Sequence, residues 1–242
     1  MIELQGASVV VDSPDGAVTL LEPTTLRLEE PRIGVVGANG SGKSTLVRLL
    51  NGLVPASAGR VVVDGLDVDR SGREVRRRVG FVFTQPDAQL VMPTPLEDVT
   101  LSLRRTVPDR TERRRRAREV LAAIGLAEHA DVPVHSLSGG QKQLLALAGV
   151  LATDPEVVVA DEPTTLLDLR NARLVADRLL GLRQRLVLVT HDLDLARRCD
   201  RVLVVDRARV AFDGPPDQAV DHYVALATAS GDDGTPGRSR DV

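Results

Sequence analysis

Apolar residues along the chain follow two rhythms. Short β-type runs come first, at residues 2–4, 9–11, 18–21 and 26–28, interrupted by the turn residues Pro14, Asp15 and Gly16, which predicts an antiparallel edge region. Residues 33–36 (IGVV) form a continuous apolar run of buried-strand type; Gly37, Gly40 and Gly42 then permit a tight turn, and Leu46, Leu49 and Leu50 recur at helical spacing. Further strands are predicted at 59–63, closed by a turn at Asp64 and Gly65, and at 79–83, ending in Thr84, Gln85, Pro86 and Asp87. From about residue 96 to 151 the rhythm turns helical and Arg-rich. Strands return at 157–160, 186–189 and 202–205, with a helical stretch at 170–183. This order predicts an α/β fold: a P-loop-type parallel-sheet core, an N-terminal antiparallel β region and a helical subdomain at about 96–152. The domain is expected to span 1–228, with 229–242, rich in Gly, Asp, Pro, Ser and Arg, a disordered tail.

Composition narrows the function classes. Aromatic residues make up only 2% of the 242, with no Trp and one Tyr, so Leu and Val must fill the core and base-stacking platforms are poorly supplied. A net charge of −3 gives no global attraction to nucleic acid or anionic lipid. Cys199, the single cysteine, excludes an intrachain disulfide and fits a reducing compartment. The chain opens without a secretory-type segment and no apolar run reaches about 18 residues, so a soluble protein is expected, any membrane work passing through partners. Four consecutive arginines, Arg113 to Arg116, span a whole helical turn and cannot line one groove; Val120, Leu121 and Ile124 give their helix an apolar side, so a solvated outer face is expected.

The chemistry concentrates in three stretches. Gly37, Ala38, Asn39, Gly40, Ser41, Gly42, Lys43 and Ser44 fit G-x-x-x-x-G-K-[ST] throughout, between a strand and a helix. In such a loop backbone N–H groups converge on phosphate, the lysine reaches the outer phosphates and the serine hydroxyl can ligate Mg²⁺. Residues 157–160 (VVVA) lead into Asp161 and Glu162 at the edge where a parallel sheet places its ligands; one carboxylate can hold Mg²⁺ while the other polarises an attacking water. Third, Leu137 precedes Ser138, Gly139, Gly140 and Gln141 ahead of an apolar helix at 144–152, where Ser138 can cap and the glycines let N–H groups approach a phosphate.

With LSGGQ placed between the phosphate loop and the Asp-Glu pair, the chain resembles the ATP-binding subunits of ABC transporters over residues 2–226. The resemblance implies an ATP hydrolase that dimerises head to tail, a partner copy or a paralogue pressing Ser138, Gly139, Gly140 and Gln141 onto the nucleotide held by Lys43, Ser44 and Thr45. It implies Mg²⁺ held by Ser44 and Asp161, catalysis by Glu162, a γ-phosphate contact from His191, and a D-loop role for Asp168. The family's Q-loop glutamine would stand at Thr84, with Gln85 one residue late and Gln89 further on, so the three share that assignment. The adenine-stacking aromatic of the family is replaced by Val9, Val10 and Val11. Residues 83–89 with Met92, Pro93 and Thr94, Pro133 to Ser136, and the DEPTTLLD run are most similar to the energy-coupling-factor branch. That implies uptake of a vitamin or metal ion, biotin first and cobalt or nickel next, through a separate membrane subunit and a substrate-binding membrane subunit, on the cytoplasmic face of the membrane. Residues 93–103 are the expected docking surface. A soluble ABC ATPase of DNA repair or translation is the alternative, although its usual coiled coils, second cassette or basic arm are not seen; the LSGGQ stretch argues against an unrelated P-loop regulator or kinase.

Overall fold

The computed structural model describes residues 1–14 and 16–229. Its centre is a sheet of β3 (Arg32–Val36), β6 (Val79–Val82), β7 (Val157–Asp161), β8 (Arg185–Val189), β9 (Arg201–Asp206) and β10 (Arg209–Gly214), in the order β10-β9-β3-β8-β7-β6. β10 pairs antiparallel with β9, and the other neighbours are parallel. Parallel strands covered on both faces need continuous apolar runs, and β7 meets that demand with residues 157–160, all buried, before the buried Asp161.

A second, antiparallel sheet contains β1 (Ile2–Ser13), β2 (Gly16–Leu28), β4 (Ala58–Val63) and β5 (Leu66–Asp67), ordered β2-β1-β4-β5. The separate runs expected at 2–4 and 9–11 are one strand here, and likewise those at 18–21 and 26–28. Register shifts between Leu4 and Val10 let β1 bend without ending, with Gly6 at φ +59° inside the bend. Asp15 of the expected turn lies outside the described residues.

The helices are α1 (Lys43–Leu49), α2 (Gly72–Arg78), α3 (Pro95–Ser102), α4 (Arg110–Ala123), α5 (Gly139–Leu151), α6 (Leu169–Leu180), α7 (Leu193–Arg197) and α8 (Pro216–Ala229). One hydrophobic core joins both sheets to α1 through Ile2, Leu21, Leu49 and Leu203. A separate core holds the helical region together, with Leu96, Val99, Leu121, Leu126 and Leu145 packed between α3, α4 and α5. Arg114, Arg115, Arg116 and Arg118 of α4 face solvent as expected, with Arg115 paired to Glu112 and Glu119, Arg116 to Glu112, and Arg114 and Arg118 to Asp131, whereas Arg113 is half-buried and donates to the Pro108 carbonyl. The helix expected at 170–183 stops at Leu180 before Gly181, and the strand expected to reach Phe83 stops at Val82. Ala229, expected to begin the tail, closes α8; the rest of the tail lies outside the described residues.

Candidate functional site

Four neighbouring strands deliver the site at their C-terminal ends. Sheet register sets Val35 beside Val189 and Val189 beside Asp161, so the loops leaving β3, β8 and β7 start at one level. Loops after neighbouring parallel strands therefore converge on a common crevice.

From β3 comes the glycine-rich loop. A Cβ on Gly37 would lie 2.1 Å from the Val205 carbonyl oxygen, so the backbone can pass β9 only with glycine there. Gly42 begins α1 at φ +107°, where a Cβ would come within 2.7 Å of the Leu20 carbonyl oxygen. The loop and α1 thus lie against β2, enclosing a cleft of about 390 Å³ lined by residues 39–45, by Val18, Thr19 and Leu20, and by Glu162. Lys43 is only 4% exposed; its Nζ donates to the Ala38 carbonyl at 2.8 Å and lies 3.9 Å from Glu162 Oε1. Burial holds its pKa below the usual lysine range, against the opposing pull of Glu162 and Asp161. Ser41 Oγ is buried with no hydrogen-bond partner among the described residues, an orphan polar atom in a loop whose chemistry suits phosphate.

From β7 come the carboxylates. Asp161 is 1% exposed with both oxygens engaged: Oδ1 accepts from Ser44 Oγ at 2.9 Å and Oδ2 from Arg48 Nη2 at 3.1 Å. Glu162 follows with φ +51°, a left-handed backbone that costs a non-glycine residue on the order of 1 kcal/mol. That turn is fastened by Glu162 N–H donating to Val189 O at 3.1 Å, and it aims the side chain back over Lys43. Oε1 of Glu162 lies 2.8 Å from Nε2 of His191, which follows β8, and Oε2 accepts from Thr165 Oγ1 at 3.3 Å.

β6 supplies the residues after Val82. Thr84 Oγ1 donates to the Asp161 backbone carbonyl at 2.7 Å, whereas the exposed Gln85 side chain makes no hydrogen bond among the described residues. Gln89 bonds Phe83 N–H and the Ala146 carbonyl and lines a different cleft, between α3, α5 and β6, so it is turned away from the carboxylates. Gln143, a residue the sequence did not single out, is 1% exposed and donates to the Phe83 carbonyl, tying α5 to the end of β6.

Ser138, Gly139, Gly140 and Gln141 do not line the phosphate-loop cleft; they open α5 in the helical region. Ser138 caps that helix in a reciprocal box with Gln141, while Ser138 and Gly139 stay exposed. Gly140 is buried, and a Cβ on it would come within 2.4 Å of Asn171 Cγ. Asn171 in turn donates from its backbone and side chain to Asp168, the N-cap of α6, holding its carboxyl below the usual aspartate range. The segments at 138–141 and 168–171 are therefore packed together on one surface, beside the exposed Leu166 and Leu169.

This arrangement has counterparts among known proteins. The ABC transporter family model matches residues 22–165, more than half of the chain. A Deinococcus radiodurans protein assigned to the ABC transporter ATP-binding proteins is 50% identical over 92% of this chain and 97% of its own. The biotin transport ATP-binding protein BioM of Rhizobium etli is 42% identical, covering 88% of this chain and 94% of its own, and that of Rhodobacter capsulatus 44%, covering 85% and 88%. Among solved structures, the dimeric ABC cassette MJ0796 superposes with TM-score 0.81 at 30% identity over 89% of this chain and 99% of that one. CbiO1 of Clostridium perfringens, part of the cbiONQ ABC transporter complex, superposes with TM-score 0.78 at 29% identity, covering 95% and 94%. By that family match and by relatives spanning nearly its whole length, the chain belongs to the ATP-binding proteins of ABC transporters and is an ATP hydrolase.

Proposed function

We propose that this chain is the ATP-hydrolysing subunit of an energy-coupling-factor importer, with biotin as the favoured cargo and cobalt or nickel next. The observation that carries this reading is its identity of 42% and 44% to the two BioM proteins, across more than four fifths of the chain. The likeness to CbiO1, part of an ABC transporter complex, supports a subunit of a transporter assembly.

In this reading the N–H groups of residues 37–45 and the Lys43 ammonium bind the triphosphate. The Ser44 hydroxyl and the Asp161 carboxylate, 2.9 Å apart, are hard oxygen donors that fit Mg²⁺. Among the described residues no cluster of three His, Cys, Asp or Glu is placed to hold a metal, so phosphates and waters would complete the shell, as this ion prefers. Mg²⁺ when bound neutralises charge on the phosphates. Glu162 accepts the proton of the attacking water, and His191 orients Glu162 and meets the γ-phosphate side. Thr84 or Gln85 takes the Q-loop place next to Asp161.

Ser138, Gly139, Gly140 and Gln141 act on the nucleotide of a second copy. The exposure of Ser138 and Gly139 at the start of α5, with Leu166 at 63% and Leu169 at 68% exposure beside them, suits a face that another subunit covers. A two-fold pair then completes two sites, and its closing and opening drive a membrane partner. Among the described residues no helix is long and apolar enough to cross a membrane, which fits peripheral attachment through that partner. The cleft of about 270 Å³ lined by Gln89, Asp98, Ser102 and Gly149 is the docking place for its cytoplasmic segment; only Asp98 and Ser102 of its lining belong to the region expected at 93–103, the rest coming from β6, α5 and their flanks. Reconstitution with the membrane proteins encoded beside this chain tests the reading. ATP-dependent accumulation of labelled biotin, abolished by Lys43→Ala, is expected; activity without any solute uptake would overturn it in favour of a soluble ATPase.

A further inference from the structure

A second hollow, of about 560 Å³, adjoins the docking cleft and shares Arg76 and Thr153 with it. Its remaining lining is Arg73 and Arg77 of α2, then Arg105 and Thr106 just after α3. The four arginines sit around one cavity and no carboxylate lines it. None of their side chains makes an ion pair or hydrogen bond among the described residues. The contrast with α4 is direct, because Arg114, Arg115, Arg116 and Arg118 are all matched to Glu112, Glu119 or Asp131. In a chain whose net charge is −3, this is a local concentration of unmatched cation. Like charges held around a concavity repel one another, and an anion seated among them removes that cost.

We infer that this hollow binds the phosphate of an anionic lipid headgroup. Guanidinium groups present forked donors that match phosphate oxygens two at a time, a geometry an ammonium lacks. The hollow is contiguous with the cleft assigned above to the membrane partner, so a chain docked there turns these arginines toward the lipid surface; this orientation rests on that assignment. A basic cluster at the cytoplasmic leaflet gains about 1 kcal/mol per charge near the surface. The chain would thus be held by its partner and by the bilayer beside it.

Co-sedimentation of the purified full chain with vesicles tests the inference without any membrane subunit. Vesicles of phosphatidylcholine alone are compared with vesicles holding about one third phosphatidylglycerol, at low and near-physiological salt. Binding to the anionic vesicles only is expected. The triple variant Arg73→Gln, Arg77→Gln, Arg105→Gln should lower it roughly a hundredfold, as three charges near the surface predict. The matched control Arg114→Gln, Arg115→Gln, Arg116→Gln removes as much charge from α4 and should bind like wild type. ATP hydrolysis by each variant reports folding, and its persistence keeps the ATPase reading separate from the outcome. Equal loss in triple variant and control would reduce the effect to net charge and overturn the site. Absence of vesicle binding would overturn the lipid in favour of an acidic segment of the membrane partner. Titration of inorganic phosphate into the hollow with no vesicle binding would overturn it in favour of a soluble anion.

Discussion

His191 Nε2 and Glu162 Oε1 lie 2.8 Å apart, on the same carboxylate oxygen that the Lys43 ammonium approaches to 3.9 Å. One oxygen from the β7 loop thus links the β8 loop to the phosphate loop. A carboxylate held between a histidine and a lysine is oriented before nucleotide arrives, which is the preorganisation a general base needs.

Glu162→Gln keeps the shape and removes the basic oxygen. Nucleotide binding is expected to persist while phosphate release falls by roughly 10² or more. His191→Ala should lower turnover as well, and the double variant should lose far less than the product of the two, because both act through one contact. Steady-state phosphate release and equilibrium nucleotide titration on the three variants measure this. Turnover near wild type in Glu162→Gln would remove it from the mechanism.

Assembly is tested by mixing. Lys43→Ala disables the phosphate loop and Ser138→Arg places a bulky cation where the α5 terminus must meet a partner's nucleotide. Each variant alone should be inactive. Mixed dimers contain one site built from intact halves, so equimolar mixtures should regain about a quarter of wild-type activity after subunit exchange. A mixture that exchanges yet stays inactive would exclude sites shared between copies.

The phosphate loop was legible because its chemistry occupies one contiguous stretch, and the flanking apolar periods gave its strand and helix. Asp161, Glu162 and His191 were legible at the ends of apolar runs, which is where a parallel sheet releases its chain. Contacts that join distant residues were not: nothing in the sequence pairs Arg48 with Asp161, 113 positions away, or Asn171 with Gly140. The sequence reads Gly140 as letting backbone N–H groups approach a phosphate, and the structure adds a space requirement set by Asn171. The edge strand β10 carries only half-buried and exposed residues, so it lacks the apolar run that marked its neighbours. The seven-residue α2, with a single buried side chain at Val75, lacked enough turns to show a helical period.

Cys199 gives a pH signature on the far side of the central sheet. Burial, then the nearby Asp200, pushes its thiol from the ordinary 9.0 up to about 12. In the unfolded chain the thiol ionises near its ordinary value, so above pH 9 the unfolded state sheds a proton that the folded state keeps. Stability from this group is full below pH 9 and is lost as pH rises toward 12. Between pH 9 and pH 10 the loss should be about 1 kcal/mol. Urea unfolding of wild type and Cys199→Ala at both values isolates the thiol, since other titrating groups are common to the pair. A wild-type minus variant stability difference that does not fall over this interval would contradict a protonated buried thiol.

In the proposed reading the base would lie at the Val18 end of the cleft, which carries aliphatic side chains in place of an aromatic ring. Val11 stands directly opposite Val18 in the β1–β2 pairing, which puts both on one sheet face, and Val18 lines the nucleotide cleft. They are 40% and 44% exposed, a small apolar platform without a π face. Aromatic stacking beyond area burial is worth about 0.5 to 1.5 kcal/mol, so its absence weakens adenine binding by up to roughly tenfold. Lys43, Ser44 and Asp161 are indifferent to the base. GTP is therefore expected to be hydrolysed at a rate comparable to ATP, and Val11→Tyr to tighten ATP binding by up to roughly tenfold. Titration of both nucleotides against wild type and Val11→Tyr decides the matter. A wild-type preference for ATP above about a hundredfold, unchanged by the substitution, would show that a group other than this valine platform reads the adenine.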